Sequence, residues 1–143
     1  NGKSMFFGGG RWIRYGQTKL ANAAYTAAMH EKLQNTGSKI KAIVAHPGLA
    51  ETDLQHTTVK EGGLGRWFTA QFMKFGQSQE DGTMGILRGI ADPSIESGTF
   101  IGPKGMKGLA TTFKLEAKYD NTETREMIWK KSCEAVGEDF TIT

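Results

Sequence analysis

The chain of 143 residues has a single cysteine, Cys133. An internal disulfide is therefore excluded, and the composition fits a reducing compartment. A small buried or half-buried side chain is the plain reading of that thiol. Proline is scarce, at three residues, and no stretch reads as a linker between two domains. No apolar run approaches the roughly 18 residues of a membrane span. The most apolar segment, Leu20 to Met29, is interrupted by Asn22 and Thr26. The first residues are polar and glycine-rich, so they carry no apolar leader. The chain starts at Asn1, as expected of a fragment, a processed chain or an incomplete reading frame. A dominant charge is missing too: 18 basic residues stand against 15 acidic ones, for a net +3. The signs are mixed along the chain, so there is no basic stripe of the kind that nucleic acid requires. Arg66 and Lys74 do interleave with Phe68, Phe72 and Phe75, but that spacing reads first as one buried helix face. Neither a nucleic-acid partner nor a membrane segment is expected. The compartment is expected to be cytoplasmic or is left unknown, the N-terminal region being expected to be absent.

What is present is the composition of one globular domain, 38% hydrophobic and 23% charged. Residues Asn1 to Arg14 read as a glycine-rich loop, anchored at its end by Trp12 and Ile13. From Tyr15 to Asn35 the pattern is helical, with Leu20, Ala23, Ala24, Ala27 and Ala28 on a narrow face. Gly37 supplies a left-handed cap. Ile40 to Ala45 reads as a buried strand, with parallel pairing expected after so long a helix. His46-Pro47-Gly48 stops it. Lys60 to Gly65 holds three glycines and leads into Trp67, Phe68, Phe72, Met73 and Phe75. That patch reads equally well as core or as a hinged cover over an apolar substrate. Ser78 caps a helix that runs to Ala91 and ends at Asp92-Pro93. Thr99 to Ile101 is a short strand, and Pro103 to Gly108 is a loop. A last helix covers about Glu123 to Val136, with Met127, Ile128 and Trp129 on its inner side. The order is helix, strand, helix, strand, helix, which is an α/β layering.

The chemistry concentrates at Tyr15 and Lys19. Residues four apart on a helix share a face, so this phenol and ammonium can address one spot. An ammonium beside a phenol favours the phenolate, and such a phenol can exchange a proton with a carbonyl or alcohol oxygen. Tyr-x-x-x-Lys alone is a weak signal, but its context strengthens it. The stretch Tyr15-Gly16-Gln17-Thr18-Lys19-Leu20-Ala21-Asn22, followed by Val44-Ala45-His46-Pro47-Gly48-Leu49-Ala50-Glu51-Thr52, resembles the short-chain dehydrogenase/reductase family, in its retinol-dehydrogenase-like branch. Trp129, Ser132 and Gly137 near the end fit the same branch.

The resemblance implies the C-terminal half of a Rossmann-type, doubly wound parallel sheet, with residues 1–143 forming the C-terminal part of one such domain. It implies a catalytic helix, the strand after it, a substrate-covering segment from about Leu54 to Gly76 and a C-terminal helix. By resemblance, Tyr15 is the acid/base and Lys19 assists it and holds the nicotinamide ribose. Pro47 and Gly48 pass close to the nicotinamide of NADP or NAD, while Ala50 and Thr52 hold its carboxamide or a nearby phosphate. The substrate is a small apolar carbonyl or alcohol. A homo-oligomer is left open.

Two further family features bear on the resemblance. The glycine-rich turn that holds a dinucleotide pyrophosphate follows a first strand. Gly8-Gly9-Gly10 follows no strand, and Gly62-Gly63-Leu64-Gly65 comes after the catalytic pair, so the N-terminal dinucleotide-binding strands are expected to be lacking. Ser4 stands 11 residues before Tyr15; the branch places its serine further upstream, so Ser4 reads as a loop serine. No metal is expected, because His30, His46 and His56 lack ligand spacing. His46 reads as a strand-end residue, and Glu51 and Asp53 as solvated acids. The rival reading is a non-catalytic fragment or interaction module with no cofactor binding of its own and a sheet edge that wants a partner.

Overall fold

A computed structural model of the chain describes residues 10–48, 76–115 and 121–142. Helix α1 is Gly10–Asn35, strand β1 is Val44–Ala45 and helix α2 is Gln79–Ala91. Strand β2 is Thr99–Pro103, strand β3 is Ala110–Lys114 and helix α3 is Thr122–Val136. Among the described residues the sheet has the order β1-β2-β3. Strands β1 and β2 are parallel, with Val44 opposite Phe100 and Ala45 opposite Ile101. Strands β2 and β3 are antiparallel, with Phe100 opposite Phe113. The layering is α/β, but this sheet is mixed, whereas the resemblance implies an all-parallel one.

The structure differs from the sequence reading at four places. Helix α1 starts at Gly10, so residues 10–14 are helical and not loop, and Ile13 is 49% exposed. The strand expected from Ile40 pairs only at Val44 and Ala45. Before them the Ala42 amide donates to the Ser97 hydroxyl and the Ala42 carbonyl accepts from Gly98. A side chain thus replaces a ladder partner, and Ile40 is left exposed. Strand β3 is an addition to the expected elements, although Thr111, Thr112 and Phe113 are good strand formers. Met127 points outward at 55% exposure, while Trp129 of the same helix is buried.

Other expectations hold. Ala23, Ala24, Ala27 and Ala28 are all buried, as is Leu33, so α1 packs along an alanine stripe that admits close neighbours. Gly37 has φ +67°. The Ser78 hydroxyl accepts from the Asp81 amide at the start of α2, and Asp92 caps its end. Helix α2 lies on the Ile101 face of the sheet, where Ile101 is fully buried. It approaches through glycine: a Cβ at Gly89 would stand 3.3 Å from Ile101 Cδ1. Its large apolar residues Met84, Ile86, Leu87 and Ile90 are exposed among the described residues. Helix α3 docks on α1. Trp129 stacks on Tyr25 at 5.5 Å, the Lys32 ammonium sits 4.7 Å over the indole, and Arg125 forks onto the Glu31 carboxylate at 3.0 and 3.3 Å.

Gly16 is an interior residue of α1, and a Cβ added there would have nothing within 4 Å among the described residues. Replacing helix-interior glycine by alanine lowers the entropy cost of folding. Gly16→Ala is therefore expected to stabilise the chain by about 0.5–1 kcal/mol, read as a rise in the denaturation midpoint.

Candidate functional site

A cleft of about 780 Å³ opens between the N-terminal half of α1 and the sheet. Alternation along β2 decides which face this is. Ile101 faces α2, so its neighbours Phe100 and Gly102 face the other way. Tyr15, Gly16, Lys19, Leu20 and Ala23 form the helix side of the cleft, and Val44 through Gly48 form its end. The structure therefore brings Tyr15, Lys19, Pro47 and Gly48 to one space. The Lys19 ammonium lies 5.2 Å from the centre of the Tyr15 ring, within the range of a cation–π attraction. Tyr15 is 39% exposed. The Thr18 hydroxyl bonds back to the Tyr15 carbonyl at 2.7 Å, an i−3 contact within the helix.

The floor of the cleft is aromatic. Phe113 meets Phe100 at 6.3 Å, and Phe100 stacks on the His46 imidazole at 5.0 Å. Sequence reasoning missed this row. Its signal was the alternation that places Phe100 and Gly102 on one face, together with a partner strand carrying Phe113. His46 is more than a strand end: its Nδ1 accepts the Gly48 amide at 3.0 Å, and its own amide continues the ladder to the Ile101 carbonyl. Gly48 has φ +66°, and a Cβ there would meet the Met106 carbonyl oxygen and Pro103 Cγ at 2.6 Å. Only glycine fits that turn.

Burial holds the His46 imidazole below its ordinary value of 6.5. The folded chain thus binds fewer protons than the unfolded one just below that pH. The associated stability is complete above pH 6.5 and is lost as pH falls through the lowered folded value. Melting temperature is expected to decline from about pH 7 towards about pH 5, and His46→Asn is expected to flatten that slope. A slope unchanged in the variant would assign the decline to other groups.

The expected cofactor contacts at Ala50 and Thr52 lie outside the described residues. So do Ser4, His56, Gly62 to Gly65 and the aromatic patch from Trp67 to Phe75. His30 is tied to the Ser97 hydroxyl at 2.8 Å. Among the described residues no group of His, Cys, Asp and Glu is arranged to hold a metal. No described helix is long and apolar enough to cross a membrane. Cys133 is half-buried and free.

No known protein-family profile matches the chain. Over 123 residues it is 26% identical to retinol dehydrogenase 12 of Mus musculus, a match that covers 86% of this chain and 36% of that protein. The likeness is to a dehydrogenase. It supports a relationship to the short-chain dehydrogenase/reductases and to oxidoreductases at that coarse level. The structure is similar to a crystal structure of an uncharacterised protein from Mycobacterium paratuberculosis, with a TM-score of 0.62 and 22% identity. That match covers 92% of this chain and 41% of the other, and it speaks for the fold alone. The chain spans well under half the length of both proteins.

Proposed function

We propose that the chain carries the proton-transfer half of an NAD(P)-dependent oxidoreductase site, as the C-terminal part of a short-chain dehydrogenase/reductase domain. The observation that carries this reading is the convergence of Tyr15, Lys19, Pro47 and Gly48 on one cleft from two separate elements. A reduced nicotinamide bound there would supply the hydride. The residues present suit that end of a dinucleotide: a tight glycine turn on one wall, and an ammonium beside a phenol on the other. A pyrophosphate-binding glycine turn after a strand is absent from the described residues. Ala50 and Thr52 are the further residues we assign to the cofactor.

In this reading Tyr15 donates its phenolic proton to the carbonyl oxygen as the carbon accepts hydride, which yields the alcohol. In the reverse direction the phenolate takes the alcohol proton. Lys19 holds its ammonium 5.2 Å from the centre of the Tyr15 ring and would offer donors to a ribose hydroxyl. Leu20, Val44, Phe100, Phe113 and Leu115 present apolar surface to the cleft, which suits a small apolar carbonyl or alcohol.

Lys19→Met tests the pairing. It is expected to lower kcat/KM for an apolar aldehyde by about 10²-fold or more, the scale of assisted proton transfer, with a weaker hold on NADPH. Wild-type kcat/KM in this variant would remove Lys19 from the site. One observation favours a second reading, a non-catalytic interaction module: strand β1 pairs on one side only among the described residues. Titration of NADPH fluorescence with the chain separates the two, because the module binds no cofactor.

A further inference from the structure

The Pro47-Gly48 turn is held from three directions. The His46 Nδ1 accepts the Gly48 amide at 3.0 Å. The Gln77 side-chain amide donates to the Pro47 carbonyl at 2.6 Å, and its oxygen accepts the Gly108 amide at 2.9 Å. Gln77 therefore bridges the turn to the loop between β2 and β3. Gly48 is also pressed against that loop, where Met106 and Pro103 leave no room for a Cβ. The imidazole in turn is fixed by Phe100 on one side and by Gly102 on another, where any Cβ would collide with Cδ2 and Nε2 of the ring. An acceptor Nδ1 requires the neutral ring to carry its proton on Nε2.

We infer that His46 is a positioning residue: with Gln77 it sets the conformation of the Pro47-Gly48 wall, and through that wall it orients the nicotinamide against Tyr15. The role rests on the function proposed above, but the clamp itself is a property of this chain's own side chains. The ring contacts the turn and the floor, and in the proposed site that turn would lie beside the nicotinamide. Gln77 is itself the residue that directly follows the expected substrate-covering segment.

The roles of bulk and of the acceptor separate by substitution. In His46→Ala the Gly48 amide loses its partner and the floor loses a ring. In His46→Asn the side-chain oxygen replaces Nδ1 as acceptor. Gly102→Ala keeps the imidazole but displaces it. Nitrogen-15 NMR of the chain at neutral pH is expected to show an unprotonated Nδ1 and a protonated Nε2 at His46. The Gly48 amide resonance is expected to move in His46→Ala and in Gly102→Ala, and to stay near its wild-type position in His46→Asn. A ring protonated on Nδ1, or a Gly48 resonance indifferent to all three changes, would overturn the clamp.

The functional arm uses NADPH and one apolar aldehyde. His46→Ala is expected to lower kcat about tenfold or more, the loss expected when reacting groups are misplaced, while KM for the aldehyde changes less. His46→Asn is expected to recover most of that loss. Equal kcat in wild type and His46→Ala would overturn the positioning role. Failure of the parent reading looks different: turnover would then survive Tyr15→Phe, or would be missing from wild type, while the NMR signature of the clamp stayed intact.

Discussion

Tyr15→Phe is expected to reduce kcat by about 10²–10⁴-fold, the usual worth of a positioned general acid or base, and to leave NADPH binding largely intact. The substitution removes one hydroxyl and keeps the ring. The ring is the part that the Lys19 ammonium overlies at 5.2 Å, so the geometry of the pair should survive. Tyr15 is partly exposed, so the change should cost little stability. A phenylalanine offers no proton to the developing alkoxide, and water in an apolar cleft replaces it poorly. The loss should therefore appear in kcat and in kcat/KM together, the mark of an interaction made in the transition state. Rate constants and NADPH titrations for the two proteins decide it. Near-normal kcat in the variant would remove Tyr15 from the chemistry.

The second large effect lies away from the cleft. Trp129→Ala is expected to destabilise the chain by about 3–5 kcal/mol, the range for emptying a buried aromatic site. Trp129 is 8% exposed. It stacks on Tyr25 at 5.5 Å with nearly parallel planes, meets Phe140 at 5.9 Å and carries the Lys32 ammonium at 4.7 Å. One side chain thus joins α3, the C-terminal tail and α1. Against a typical total stability of about 5–15 kcal/mol, its removal should lower the melting temperature by about 10–20 °C. Trp129→Phe should recover part of the loss by keeping the stack. A fall of only a degree or two would mean that Glu31 and Arg125 hold α3 without the indole.

The parts of the fold that could be read from the sequence are those governed by neighbours along the chain. The alanine face of α1, the Ser78 cap, the Asp92-Pro93 stop and the Gly37 cap are local patterns, and they appear in the structure where the residues place them. The missed parts depend on distant partners. Ile40 and Ile43 have strand-like side chains, but Ser97 and Gly98 occupy the backbone of Ala42. Strand β3 exists because Ala110 to Lys114 pair with β2, and no periodicity announces a short strand after a glycine-rich loop. Met127 and Trp129 both look inward on hydrophobicity, yet only the indole lies over Tyr25.

The candidate site divides the same way. Tyr15 and Lys19 are legible because a spacing of four residues is close to one helical turn. Pro47 and Gly48 are legible as a strand stop, and their meeting with Tyr15 needs the fold. The aromatic floor is hidden in the sequence because it runs across the sheet, from Phe113 through Phe100 to His46. Gln77 gives no signal at all, since its two bonds reach far along the chain in each direction, to Pro47 and to Gly108.

If this cleft passes hydride between a nicotinamide and a carbonyl, with Tyr15 as the proton donor, a label on the hydride must reach the product. NADPH and NADH deuterated at the transferable ring position, incubated with the complete domain of which we propose this chain to be the C-terminal part and a panel of small apolar aldehydes, test this most directly by mass spectrometry of the products. The expected product is an alcohol bearing one deuterium on the former carbonyl carbon, formed by the wild-type domain and lost in Tyr15→Phe. Recovery of unchanged aldehyde with both cofactors still reduced, or deuterium transfer equal in the two proteins, would contradict it.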